Sequence, residues 1–116
     1  MGIAERKARD KEKRSRDIIH AAEKLFLEKK FDSITMDDVA NAAEVSKGTV
    51  YIYFKSKDDL CYALILETIQ LLRRNMIKAS HSKKTGIEKL KAIGEAYFST
   101  YKKNTDKILF MFSLGN

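Results

Sequence analysis

Residues 35–57 read TMDDVANAAEVSKGTVYIYFKSK, and their pattern says more about the architecture than any other part of the chain. Thr35 and Asp38 have the spacing of a capping box, and apolar residues follow at helical intervals, which predicts a short helix ending near Ala43. After a tight connection, Ser46 is suited to cap a second short helix. Two short helices on so short a turn predict a helix-turn-helix motif.

Amphipathic helices are predicted on both sides of this motif. Apolar residues recur at i, i+3, i+4 and i+7 between Ser15 and Lys30, which predicts a helix over that range, with a loop at 31–33. Ser56 has the position of an N-cap for a long helix that runs past Met76. Thr85 begins another capping-box pattern, and a last apolar helix follows Asn104.

The composition agrees with an all-α chain. There are 116 residues, which suffice for one core of ordinary size, with no proline and only five glycines. We expect a basic N-terminal arm at 1–14 and a three-helix bundle containing the helix-turn-helix at 15–57. Residues 58–116 are expected to form a long connecting helix and the beginning of a further helical domain.

The charge favours a polyanionic partner. Lys and Arg number 23 against 16 Asp and Glu, a net charge of +7. Residues 5–16 hold seven of those cations and three carboxylates. A solvated, partly frayed terminus is the alternative interpretation of this segment.

The second helix of the motif has side chains suited to duplex DNA. In helix-turn-helix proteins this helix enters the major groove. Ser46, Lys47, Gly48 and Thr49 place small and polar groups at its start, and a glycine allows close backbone approach. Further along are groups suited to phosphates, namely Tyr51, Tyr53, Lys55 and Lys57. The tyrosines could instead be ordinary surface or core aromatics, and the lysines a solvated helix start.

These residues carry a family resemblance. The run from Ile18 to Leu64 closely resembles the N-terminal domain of TetR-type repressors. The matching residues are Ala21-Ala22, Leu25-Phe26, Phe31-Asp32, Thr35-Met36, Val39-Ala40, Val45 to Tyr51, Tyr53 to Lys57 and Leu60. The resemblance implies a DNA-binding unit of three helices, joined by the next helix to a helical ligand-binding and dimerisation domain.

The resemblance also implies a function and a partner set. Such regulators look like homodimers that bind palindromic operators in double-stranded DNA and are released by a small-molecule effector. A ligand-responsive repressor in the cytoplasm is therefore expected. By position, Lys47, Gly48, Thr49 and Ile52 match residues that face bases, while Thr35, Ser46, Tyr51, Tyr53 and Lys57 match residues that meet phosphates.

Three further features follow from the comparison with the family. The segment before Ser15 resembles basic extensions of some members, which implies reach into a minor groove. The family often has glycine at the positions of Glu44 and Lys30. If the backbone at Glu44 needs a positive φ, that residue is mildly strained.

Other function classes lack supporting motifs. A nonspecific nucleic-acid-binding module is the second hypothesis, and it rests on net charge alone. No glycine-rich phosphate loop, metal-ligand spacing or nucleophile with a base is present, so no enzyme, cofactor or metal site is predicted. His20 and His81 are far apart. No apolar run is long enough to span a membrane, and the basic segment is too polar for a membrane-surface helix.

The remaining apolar and reactive residues have two readings each. Cys61 is interpreted as a buried structural thiol rather than a redox sensor. Five aromatic residues could line a ligand cavity or fill an ordinary core: Tyr97, Phe98, Tyr101, Phe110 and Phe112. Too few helices follow Leu60 to close a ligand-binding core, so the full product is expected to continue beyond Asn116.

Overall fold

The computed structural model describes residues 2–114, and over that range the chain forms six α-helices and no strand. The helices are α1 (Ile3–Glu28), α2 (Met36–Ala43), α3 (Lys47–Tyr53), α4 (Lys57–His81), α5 (Gly86–Lys103) and α6 (Thr105–Ser113). A short 3₁₀ turn, Phe31–Ser33, lies between α1 and α2. The all-α prediction is confirmed.

The chain divides into two compact units, one ending at Leu64 and the other beginning at Ile65. Helix α4 starts in the first unit and ends in the second. The first unit holds the predicted helix-turn-helix. The functional boundaries expected after residues 14 and 57 stay predictions.

Helix α1 begins at Ile3, so the prediction that this helix starts at Ser15 is wrong. Residues 3–14 are nearly all exposed and carry no apolar stripe, and hydrophobic periodicity therefore could not reveal them. They are rich in Lys, Arg, Glu and Ala, which have good helix propensity, and contain no glycine or proline. Lys13 and Asp17 add an ion pair at i, i+4 spacing, with Nζ and Oδ2 3.1 Å apart.

Helix α1 ends at Glu28, two residues before the predicted Lys30. Lys29 is extended, with φ −130°, and donates its backbone N–H to the Leu25 carbonyl. Lys30 has φ −65°. Because neither residue adopts a positive φ, this helix end does not require a glycine.

The core of the first unit is centred on α2, which packs on both α1 and α3. Except for half-buried Leu25, the predicted apolar stripe of α1 is buried, and Val39 and Val50 of α2 and α3 have no exposed surface. Burying a side chain of this size contributes about 1.5–3 kcal/mol. The buried apolar residues include Ile18, Ile19, Ala22, Phe26, Ile34, Val39, Ala40, Val50, Phe54, Leu60 and Leu64. Because Val50 anchors α3 in this core, the core sets the direction in which the opposite face of α3 points.

Cys61 lies in this core beside Leu60 and is 5% exposed. Burial raises the pKa of its thiol, and nearby Asp58 raises it further. A thiol with a raised pKa is a weak nucleophile at neutral pH. The reading of Cys61 as a buried structural residue is therefore supported.

In the second unit, two N-caps were predicted, Thr85 for α5 and Asn104 for α6, and only the first forms a side-chain cap. The Thr85 hydroxyl accepts the backbone N–H of Glu88 at 3.2 Å. Asn104 precedes α6 without a side-chain cap for it, and instead donates its side-chain amide to the Thr100 carbonyl, closing α5. Buried Thr100 also accepts a hydrogen bond from the Asn75 side chain at 3.0 Å.

Several aromatic residues of the second unit are exposed. Tyr97, Phe98 and Phe112 are 49%, 58% and 70% exposed. These three residues therefore do not fill the core of this chain, contrary to one of the two interpretations above. The other interpretation, that they line a ligand cavity, stays a prediction.

Candidate nucleic-acid interface

The connection between α2 and α3 is a tight left-handed turn centred on Glu44. Its φ and ψ are 58° and 41°, and among residues 2–114 it is the one non-glycine residue with positive φ. The Glu44 N–H donates to the Asn41 carbonyl and the Val45 N–H to the Ala40 carbonyl. This pair of bonds is the Schellman motif, which satisfies the last carbonyls of α2. The strain expected at Glu44 is present.

Helix α3 divides cleanly into an inner and an outer face. Val50 is fully buried on the inner face, and Phe54, the C-cap residue of the helix, is also buried. On the outer face Ile52 is 74% exposed and Tyr51 43% exposed, while Thr49 is half-buried. Most of the apolar surface of Ile52 is therefore left open to a partner.

Two hydroxyl caps set the starts of α2 and α3. The Thr35 hydroxyl accepts the Asp38 N–H at 3.1 Å, and the Asp38 carboxylate accepts the Thr35 N–H at 2.9 Å. The predicted capping box is confirmed. Ser46 accepts the Thr49 N–H at 3.1 Å, and the two hydroxyl oxygens are 2.9 Å apart. Thr35 and Ser46 are both exposed.

The cap of α2 also affects a charge. The hydrogen bond from the Thr35 backbone N–H, and next that from its hydroxyl, lower the pKa of the Asp38 carboxyl below its usual 3.8. Asp38 is therefore ionised at neutral pH, where it favours the start of the helix.

Lys47 is an exposed cation that also spans the motif. Its Nζ lies 3.5 Å from Asp37 Oδ1 and 6.0 Å from the centre of the Tyr51 ring. Both charged side chains are more than half exposed, so the ion pair contributes little stability. Lys47 can therefore leave Asp37 for another anionic or acceptor group at small cost.

Gly48 is not required by the packing of the free protein. A Cβ built on it would meet only Ser46 Oγ, at an ordinary 3.9 Å, and its φ is not positive. In a helix interior a glycine costs about 1 kcal/mol relative to alanine. An exposed glycine with no internal reason supports the interpretation that something approaches the backbone closely there.

Lys57 has an internal role that the sequence did not reveal. Its Nζ donates to the Phe31 carbonyl at 2.6 Å and lies 4.2 Å from the centre of the Phe31 ring. The ring of Phe31 in turn lies 5.3 Å from that of Phe26. Lys57 thus ties the start of α4 to the 3₁₀ turn. Its proposed phosphate contact would use the remaining hydrogens of the ammonium group.

The predicted site residues gather in the first unit. Ser46, Lys47, Gly48, Thr49, Tyr51, Ile52 and Tyr53 belong to α3 or its cap, and Thr35 caps α2. Asp37, which holds Lys47, was missed because the partner lies ten residues away and only the turn geometry brings it near. Lys55 is exposed, and Tyr53 is half-buried.

Between residues 2 and 114, no three His, Cys, Asp or Glu side chains are grouped so that they could hold a metal ion. Over the same residues, every helix is too short or too polar to cross a bilayer.

Curated relatives of this chain are regulators. It is 32% identical over 82 residues to the fatty acid metabolism regulator protein of Bacillus subtilis (strain 168), covering 71% of this chain and 42% of that protein. It is 40% identical over 58 residues to the uncharacterized HTH-type transcriptional regulator YfiR of the same strain, covering 50% of this chain and 28% of that protein. The chain thus spans less than half the length of these relatives.

A solved structure and a family profile agree with these relatives. A protein of Shewanella sp. PV-4, assigned to the tetR family of transcription regulators, superposes with a TM-score of 0.74 at 23% identity, over 87% of this chain and 53% of that one. At that identity the match concerns the fold. The profile of the bacterial regulatory proteins of the tetR family matches residues 18–64, which comprise the end of α1, both motif helices and the start of α4. Residues 18–64 of this chain are therefore similar to the bacterial regulatory proteins of the tetR family.

Proposed function

We propose that this chain is the DNA-reading part of a sequence-specific transcriptional regulator, with α3 lying in the major groove of a duplex operator. The observation that carries the proposal is the outer face of α3. It holds an exposed Ile52, a glycine with no packing role and hydroxyl and ammonium groups, all on a helix anchored by buried Val50. The match of residues 18–64 to the tetR family of bacterial regulatory proteins and the regulatory names of the relatives support it.

The contacts divide into two classes. Lys47, Gly48, Thr49 and Ile52 face base edges in the proposal, where a hydrogen bond or an apolar contact distinguishes one base pair from another. The other positions contact phosphates, and these contacts fix the register of the helix without reading sequence. The phosphate-contacting residues in the proposal are Thr35, Ser46, Tyr51, Tyr53 and Lys57.

The proposal extends to the assembled regulator. We infer a homodimer on a palindromic operator, because two copies of α3 would then read two half-sites about one helical turn apart. Repression and release by a small-molecule effector are proposed from the family resemblance alone. The relatives named above are regulators rather than enzymes, and no catalytic activity is proposed.

A selection from random-sequence duplex DNA tests the proposal. We expect the purified chain to enrich one short sequence, repeated in inverted orientation with half-site centres about 34–36 Å apart. A single enriched half-site would keep the DNA-reading role and show that residues 1–116 do not form the dimer by themselves. Recovery of no common sequence would contradict sequence-specific reading and favour the nonspecific module suggested by the net charge of +7.

A further inference from the structure

The basic N-terminal part of α1 and the reading helix α3 border a common open groove. From α1 the lining includes Lys7, Lys11 and Arg14, and from the cap and body of α3 it includes Ser46, Thr49 and Ile52. Lys11 also lines a second open groove, together with Ile52 and Tyr53. The cations of α1 therefore lie beside the positions proposed to contact DNA.

The groove keeps a net positive charge when the ion pair within it is set aside. Two carboxylates, Asp10 and Asp17, also line the groove. Asp17 is paired with Lys13 at 3.1 Å. Lys7, Lys11 and Arg14 then face one remaining carboxylate. They are spaced at i, i+4 and i+7, so they share one face of α1 over about 10 Å of helix.

The helical form of this segment decides how it can meet DNA. A helix with its side chains is about 10–12 Å wide, whereas the minor groove of B-DNA is about 6 Å wide. As a helix, residues 3–14 cannot enter a minor groove, and the reach expected from family extensions is not open to this form. Long lysine and arginine side chains can still contact the phosphates along a groove edge.

We propose that the face of α1 formed by Lys7, Lys11 and Arg14 binds the phosphates of the strand that borders the major groove holding α3. This inference rests on the proposed function and deepens it. It makes the N-terminal part of α1 a second contact to the same duplex, sequence-independent and dependent on salt. The base contacts of α3 remain the source of sequence preference.

A matched pair of double variants tests this assignment. Lys7→Gln/Lys11→Gln removes two cations from the groove. Arg6→Gln/Arg9→Gln removes two from the same segment, at positions roughly 140° and 160° around the helix from Lys11. Each variant lowers the net charge equally, and glutamine preserves helix propensity. Circular dichroism should give the same helix content for both variants and the wild type.

The measurement is the affinity of the full chain for a 30-base-pair duplex of mixed sequence across a series of salt concentrations. Each phosphate contact adds about 0.9 to the slope of log K against log salt. We expect the groove variant to lose nearly two units of slope and the control variant less than half a unit. Equal losses in both would mean that only the diffuse charge of the segment matters, and no loss in either would mean that α1 makes no phosphate contact; both results overturn the inference.

The two proposals fail in different ways. The slope is measured on mixed-sequence DNA, so it does not depend on sequence preference. If the wild type binds a selected duplex no better than the mixed one, the proposed sequence-specific function is wrong. If preference is present and the two double variants behave alike, only the role of α1 is wrong.

Discussion

At the scale of single residues, two positions of the helix-turn-helix are not optimal for the stability of the free protein. Glu44 holds a left-handed conformation that costs a side chain about 1 kcal/mol relative to glycine. Gly48 leaves a helix position without a side chain although the space beside it is open. The turn requires the left-handed backbone at Glu44, whereas the missing side chain at Gly48 indicates a binding partner.

Replacing Glu44 should stabilise the fold. We expect Glu44→Gly to raise the free energy of unfolding by about 1 kcal/mol, because glycine adopts φ 58° without the Cβ clash. Thermal unfolding measures it. Glu44→Ala is the control, since it removes the charge and keeps the Cβ; an equal gain in both variants would attribute the effect to charge instead of φ.

Replacing Gly48 should have opposite effects on stability and binding. Gly48→Ala is expected to raise the free energy of unfolding by up to about 1 kcal/mol, because alanine is the better helix former and its Cβ meets only Ser46 Oγ at 3.9 Å. Its affinity for a selected duplex should fall about tenfold, or 1.4 kcal/mol, because the methyl group holds the helix away from the DNA. Titration and thermal unfolding of the same sample give both values, and unchanged affinity would remove Gly48 from the interface.

At the scale of elements, the helix starts could be foreseen from the sequence and the extent of α1 could not. Thr35 with Asp38, and Ser46 with Thr49, cap locally, so residue types three positions apart sufficed. The N-terminal half of α1 is exposed and shows no apolar periodicity, so the sequence pattern did not predict that it is helical. The link from Lys57 to Phe31 spans 26 positions and depends on how the helices pack.

The cap of α2 should make stability depend on acid pH. The pKa of Asp38 is lowered in the folded state, so its contribution is present above its unfolded value near 3.8 and is lost as pH falls through the lowered folded value. Melting temperature should therefore drop below about pH 4, and Asp38→Asn should flatten that drop. Asp37→Asn, which leaves the capping box intact, should retain the wild-type pH dependence; equal profiles in all three proteins would contradict this role.

The junction of α4 with the 3₁₀ turn should depend on Lys57. Lys57→Met keeps the apolar stem and removes the ammonium group from the Phe31 carbonyl and ring. Because Lys57 is half-buried, the expected loss is about 1 kcal/mol of unfolding free energy rather than the full value for a charged hydrogen bond. Lys55→Met, at an exposed neighbour, should leave chemical denaturation unchanged. An equal midpoint for wild type and Lys57→Met would show that the contact is not maintained in solution.

At the scale of the whole molecule, an all-α fold with a helix-turn-helix carries a strongly positive net charge. A net charge of +7 alone would suit any polyanion. What separates sequence reading from general attraction is the outer face of α3, where Thr49, Ile52 and Lys47 meet no requirement of the core. The chain spans less than half the length of the curated relatives named above.

The most direct test is the ratio of affinities for a selected duplex and a scrambled duplex, measured in one salt concentration for wild type, Thr49→Ala and Lys47→Ala. Each variant should lose on the order of 1–3 kcal/mol on the selected duplex and little on the scrambled one, so that the ratio falls. A loss of the same size on both duplexes would contradict the central claim that α3 reads bases.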